Sequence, residues 1–323
     1  MKFSIATPCF NSRTDLPRCV GSIRGQMSAD AVPGSSFLVP GLGNPGFGVE
    51  HLVQDGLSTD GTVEWLREYA GKLKQAECPN QERRTKNEEP SFTFAYASGK
   101  DAGMYDAINK AWERSTGGIL SWLNADEQYL PGTLEKVARY FREHPDVDAV
   151  FGNAWIVDGE GRPLAARREI PLRQCYVTNG FLYALSCTLF YRRTLWEKGW
   201  LRLDNQYRYS SDADLVLRLL EHGVKFGHIS RFLSVFGVAG GNLSFSPAMK
   251  DESDGIKRKF GMLRSPWARR AVMTARHVEK LLRGCYRPVP ASFQFALDEV
   301  PNYREVDMPS VGTRFEYDWH RPA

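Results

Sequence analysis

The sequence predicts an α/β protein built on a mostly parallel sheet flanked by helices. Two observations predict it. Apolar strand-like runs and amphipathic helix-like runs alternate four times over in the first 124 residues. The strand-like runs also end in small and polar residues, at the carboxyl rim where such sheets carry their ligand sites.

Each element has its own reason. KFSIATP at the start reads as a short buried strand, and after a polar turn RTDLPRCVGSIRGQ reads as a helix. VEHLVQD reads as a second strand, GLSTDGT as a turn, and TVEWLREYAGKL as a helix with Val63, Leu66 and Tyr69 or Ala70 on its apolar face. FTFAYAS is a third strand, joined through GKDAG to the helix MYDAINKAWERSTG and then to the strand ILSWLN. Two stretches interrupt the pattern. Residues 27–48 are rich in Gly and Pro, and Gly41, Gly43 and Gly46 match a GxGxxG spacing. Pro45 lies inside that match and a strand follows where a dinucleotide site needs a helix start, so the segment reads as an inserted surface loop. KQAECPNQERRTKNEEPS is charged and aperiodic, as a solvated loop is.

Composition narrows the function. The 323 residues are 42% hydrophobic and 25% charged, an ordinary globular balance, and a net charge of +4 is too mild for a nucleic-acid-binding surface over the whole molecule. The six cysteines show no CxxC or Cys/His ligand spacing and read as reduced, buried thiols. The N-terminus lacks a signal-peptide core and no apolar run reaches membrane length, so a cytoplasmic location is expected, with peripheral association at the inner face of the membrane as the further option.

Thr7, Asp55, Ser98 to Asp101 and Asn124 to Glu127 all follow strand ends and are expected on one rim. Each has a bland reading. Asp55 and Asp60 precede glycines as turn residues do, and Asp126 could cap a helix starting near Pro131. Four polar strand ends together favour a site.

SIATPCFN, VQDGLSTDGT, GKDAGMYDAINKA, TGGILSWLNADEQYLPG and YRYSSDADLVLRLLEHG, in that order, resemble the successive motifs of family 2 glycosyltransferases, the inverting GT-A class. The resemblance runs from residue 2 to about 245 and includes bacterial polysaccharide and lipopolysaccharide sugar transferases. It implies a GT-A (Rossmann-like) domain over residues 1–245; residues 246–323 lie outside the resemblance and read as a C-terminal basic helical segment and extended tail. It also implies a nucleoside-diphosphate sugar donor, a UDP-sugar first among them, and a glycan or lipid-linked acceptor. Thr7 and Phe10 resemble first-strand residues lining the base pocket, Asp55 the carboxylate that accepts from the base, and Asp101 a further nucleotide-side carboxylate.

Sugar transfer requires the leaving diphosphate to be neutralised, usually by Mn2+ or Mg2+ on hard oxygen ligands. The family ends the fourth strand in Asp-x-Asp, whereas this chain has Asn124, Ala125 and Asp126. Asp126 is therefore the expected metal contact, Asn124 touches ribose or a metal-bound water, and Glu127 could compensate. A base must also deprotonate the acceptor hydroxyl. Asp212 in SSDADLVLRL opens a helix, where a carboxylate is favoured electrostatically in any case. The resemblance assigns Asp212 as the base and leaves Asp214 to orient or cap. Where many relatives carry a histidine this chain has Ala239, and His228 reads as an ordinary residue.

Between Ile256 and Arg287 ten Lys and Arg residues stand against Glu279 alone, interleaved with apolar residues. A helix on anionic lipid and a solvated helix packed on the domain both read this way. The aromatic, Pro-rich end reads as an extended arm. The function expected is inverting sugar transfer with a divalent cation. The alternatives are a sugar-1-phosphate nucleotidyltransferase, which TPCFNSRTD disfavours by lacking a Gly-rich phosphate loop, and a nucleotide-sugar binder with decayed catalysis.

Overall fold

The computed structural model describes residues 1–27, 46–77, 92–238, 247–296 and 303–313. Three parallel strands, β1 (Lys2–Cys9), β2 (Gly48–Asp55) and β3 (Phe92–Ser98), stand side by side. Helices α1 (Leu16–Arg24), α2 (Thr62–Glu77) and α3 (Met104–Glu113) connect the strands, and β4 (Ile119–Trp122) pairs parallel with β1 on its other side. Apolar runs long enough for a strand but too short for a helix, separated by helical periodicity, leave a right-handed crossover sheet as the compact solution.

The second half departs from pure parallel pairing. After β5 (Gln128–Tyr129), α4 (Thr133–Glu143), β6 (Ala149–Asp158) and β7 (Pro163–Arg167) come α5 (Gln174–Asn179), β8 (Phe190–Arg192), α6 (Arg193–Glu197), α7 (Ser211–Glu221) and β9 (Phe226–Val238). The nine-stranded sheet runs β3-β2-β1-β4-β8-β6-β9-β5, with β7 beside β6. β8 is antiparallel to both β4 and β6, whereas β6 and β9 are parallel. The core divides on the two sheet faces. Trp112, Trp122 and Tyr191 pack edge-on and stacked on one side, and Phe3, Phe47 and Phe190 pack on the other.

The C-terminal residues are built into the body. Helices α8 (Pro247–Lys259) and α9 (Pro266–Leu282) follow, and Ile256, Phe260 and Cys285 enter the main core. The expected extended arm is corrected in part: β10 (Val289–Ala296) and β11 (Tyr303–Val311) form a two-stranded antiparallel sheet. Its alternating Ala291, Phe293 and Phe295 pack against Trp155, Val157 and Leu130, as period-two patterning on a one-sided sheet requires.

The ten tail cations are not one solvated set. Arg276 and Lys280 are buried around Glu169 at 2.6 and 3.1 Å, Lys257 pairs with Asp254, and Lys259 pairs with Asp214. Of the cysteines, Cys9, Cys19, Cys187 and Cys285 are buried, Cys175 is exposed, and Cys78 lies outside the described residues. Most of the 27–48 insertion and Ala239 also lie outside them. Among the described residues no helix is long and apolar enough to cross a membrane.

Candidate active site

Register brings the rim together. Cys9 pairs with Asp55 and Asp55 with Ser98, so the carboxyl ends of β1, β2 and β3 lie level. Leu123 N–H donates to the Ala6 carbonyl and carries β4 past the rim into the turn Asn124–Glu127. A cavity of about 1220 Å³ opens there, walled by the loop after β1, the start of α3, this turn, the start of α7 and the end of β10.

The apolar strand β4 gives way to oxygen-bearing side chains in a turn that closes on itself. Asn124 N–H donates to Glu127 Oε2 at 2.8 Å, and Glu127 N–H donates to the Asn124 carbonyl at 3.0 Å. Two oxygens remain without a hydrogen-bond donor although buried, Asn124 Oδ1 and Glu127 Oε1. Burial, with Asp126 beside it, pushes the Glu127 carboxyl up to about 8. Asp126 does not cap α4, whose N-cap is Gly132. Its side chain is exposed to the cavity, yet the surrounding protein raises its carboxyl above the ordinary range, against the pull of Arg18. One open carboxylate flanked by two undonated oxygens is an all-oxygen donor set, which suits a hard divalent cation whose remaining positions a diphosphate and water would fill. Among the described residues no group of three or more His, Cys, Asp or Glu side chains could hold a metal unaided.

Asp212 faces the same cavity from the first turn of α7. Desolvation, with Glu252 nearby, pushes its carboxyl up to about 6, while Ala213 N–H and the Tyr105 hydroxyl donate to it. The residue's position is set from α8. Glu252 accepts from the backbone N–H groups of Arg208, Tyr209 and Ser210 at 2.8, 2.8 and 2.6 Å, clamping the loop that leads into α7. Asp214 neither caps the helix nor reaches the cavity. It is fully buried between Arg218 (2.7 Å) and Lys259 (3.0 Å) and ties α7 to α8.

Phe10 and Asp101 line the cavity, Phe10 with 64% exposure. Asp55 and Thr7 do not. Asp55 is buried, and its carboxylate accepts from Leu57 N–H, Ser58 N–H and hydroxyl, and the Ser98 hydroxyl. It thereby holds Leu57 at φ 66°, a conformation unusual for a branched residue, directly behind Gly56 and Asp101 at the cavity wall. Thr7 is buried with its hydroxyl 2.9 Å from His51 Nε2, joining β1 to β2. Asp60 caps α2 through Thr62 N–H and hydroxyl. His228 is half-buried against Phe151 and Asn153, away from the cavity.

Sequence reasoning missed Arg18, Tyr105, Arg208 and Glu252. Arg18 was hidden as one basic residue on an amphipathic helix, where it forms an ion pair with Asp15 and faces the cavity. Glu252 had no sequence signal, because it acts across 42 residues on backbone groups.

A family model described as glycosyl transferase family 2 matches residues 4–200. A PGL/p-HBAD biosynthesis glycosyltransferase of Mycobacterium bovis BCG is 28% identical over 152 residues, which are 47% of this chain and 46% of that protein. A protein of the same description from Mycobacterium tuberculosis H37Rv matches equally. The chain thus spans about half the length of the curated relatives it matches. Among solved structures, Staphylococcus aureus TarS residues 1–349 with UDP-GlcNAc aligns at TM-score 0.56 and 16% identity, covering 87% of this chain and 73% of that one. The mannosyltransferase PcManGT of Pyrobaculum calidifontis, with GDP-Man and Mn2+, aligns at 0.51 and 16% identity, covering 87% and 78%. These likenesses establish the fold.

Proposed function

Since the chain belongs to glycosyl transferase family 2, we propose that it moves a sugar, with inversion, from a nucleoside-diphosphate sugar to a hydroxyl of a glycan or lipid-linked acceptor. The observation that carries this reading is that Asp212 and the Asn124–Glu127 turn face one cavity of about 1220 Å³, room for a sugar nucleotide and an incoming hydroxyl. UDP-sugars head the donor candidates, and the neighbours bound to UDP-GlcNAc and GDP-Man support the class.

The nucleoside lies against Phe10 and Asp101, with Asp55 bracing that wall from behind. The diphosphate lies between Arg18 and the turn. Asp126, with Asn124 and Glu127, would hold Mn2+ or Mg2+, which when bound neutralises charge developing on the leaving diphosphate. Asp212 accepts the acceptor's hydroxyl proton as that oxygen attacks the anomeric carbon from the face opposite the leaving group. The anomeric carbon–oxygen bond breaks, and the electron pair leaves with the nucleoside diphosphate. A carboxyl titrating at about 6 is ionised at neutral pH yet basic enough to take that proton. The test is the anomeric configuration of the first-formed product, read by NMR in wild type and Asp212→Asn. Inversion with turnover lost by about a hundredfold or more in the variant is expected. Retention, or full activity in the variant, overturns the mechanism.

A further inference from the structure

Helix α9 buries charge on its inner face and leaves apolar side chains outside. Arg276 (3% exposed) and Lys280 meet Glu169, and Glu279 accepts from Arg173 and the Tyr176 hydroxyl, beside the inward Val272 and Met273. Four of its large apolar residues point out. Trp267 is 78% exposed, Val278 48%, Leu281 65% and Leu282 82%, and at 100° per residue these four fall on one stripe along the helix. A helix stabilised only by the domain core would present the opposite face, because burial of apolar surface is what holds such helices down. Contiguous exposed apolar surface of this kind marks an interaction site.

The chemistry around the stripe names the occupant. Exposed Arg264 lies just before the helix, Arg270 lies beside the stripe, and Arg287 lies just beyond it. Glu279 is the only acidic residue from Phe260 to Ala296, and it is turned inward into ion pairs with Arg173 and Arg283. Over this segment the surface is therefore apolar at its centre and cationic at its rim, and the segment itself contributes no outward carboxylate. A second copy of the chain would bring two cationic rims together, at an electrostatic cost. An anionic lipid surface satisfies both parts at once: headgroups meet the arginines, and Trp267, Leu281 and Leu282 enter the boundary of the acyl region. Among the described residues no helix is long and apolar enough to cross a membrane. We propose that α9 docks this protein on anionic membrane through its outward apolar face.

The proposal is independent of the sugar-transfer reading, and its test needs no donor. Full-length protein is co-sedimented with vesicles of phosphatidylglycerol and phosphatidylcholine, and with phosphatidylcholine alone, at low and high salt. Binding to the anionic vesicles is expected, weakened by salt through its electrostatic part. The variant Trp267→Ser/Leu281→Gln/Leu282→Gln is expected to lose vesicle partition by about tenfold or more with its melting temperature unchanged. A second variant, Arg264→Gln/Arg270→Gln/Arg287→Gln, is expected to lose the salt-dependent part and keep a weaker, salt-independent partition. Failure of wild type to bind anionic vesicles at low salt overturns the proposal. So does analytical ultracentrifugation showing a dimer that the apolar triple variant dissociates, which makes the stripe a subunit interface instead.

Discussion

At Asp212 the environment that suits the residue for proton transfer also burdens the fold. Its carboxyl is raised to about 6 by desolvation and by Glu252. The group binds its proton more tightly folded than unfolded, so the destabilisation it causes is fully present above the folded value. It is relieved as pH falls through about 6 towards the ordinary carboxylate range. Activity runs the other way, because only the carboxylate accepts a proton. The rate profile should therefore show an acid limb near pH 6. Asp212→Asn should raise the melting temperature at pH 7.5 by a few degrees while lowering turnover by about a hundredfold or more, as measured by thermal shift and donor-consumption assays on the same sample. An unchanged or lowered melting temperature would mean that the burial penalty is already offset by Ala213 N–H and Tyr105.

Asp126 gives the complementary residue-scale outcome. It is the open carboxylate beside two undonated oxygens. Asp126→Ala should therefore remove the Mn2+-dependent part of nucleoside-diphosphate binding, read by calorimetry with and without EDTA. Binding by wild type that EDTA leaves unchanged contradicts the metal assignment. The sequence displayed Asp126 and Asp212 because each stands beside a motif whose spacing survives in one dimension. It could not show that the Asp55 carboxylate, already a turn acceptor for Leu57 and Ser58, also accepts from Ser98, or that the Thr7 hydroxyl meets His51, since those two partners are chosen by strand register.

Elements, rather than single side chains, decide where the base stands. Helix α7 has no side-chain cap of its own, and the N–H groups just before it are taken by Glu252 from α8. A carboxylate accepting three backbone donors fixes a loop more firmly than an amide can, since the amide nitrogen of Gln cannot accept. Glu252→Gln should lower kcat by about tenfold with donor KM little changed, because the loop bears on the acceptor's proton and not on the nucleotide. It should also move the acid limb to lower pH, since Glu252 is one cause of the raised Asp212 carboxyl. A purely structural clamp would lower stability and leave the limb in place. The strand and helix alternation of β1 to β4 was legible because periodicity is local. The antiparallel insertion of β8 between β4 and β6 was not, because a three-residue strand, Phe190–Arg192, carries no record of its partners.

On the scale of the whole molecule, the chain's last described strands complete the cavity that its first strands begin. Gln128, two residues past Asp126, donates to the Ala296 carbonyl at 2.7 Å and accepts from Ala296 N–H at 2.8 Å, so the turn bearing the candidate metal contact is tied to β10 across 168 residues. The tie is supported by packing: Phe293 stacks on Trp155 with ring centres 4.9 Å apart, and Phe295 lines the cavity. A tail read as a draped arm hides this, because its alternation becomes meaningful only when Trp155 and Val157 are known to lack cover on that face of β6. Phe293→Ala should cost about 3 kcal/mol in urea unfolding, the usual cost of emptying a buried aromatic site. It should also weaken nucleoside-diphosphate binding, although residue 293 touches neither the cavity nor its ligand. Loss of stability with donor binding fully retained would show that the β10–β11 sheet merely covers β6. Loss of both, with binding still weakened when the protein is cooled well below its transition and is fully folded, would show that the sheet holds the Asn124–Glu127 turn in place through Gln128.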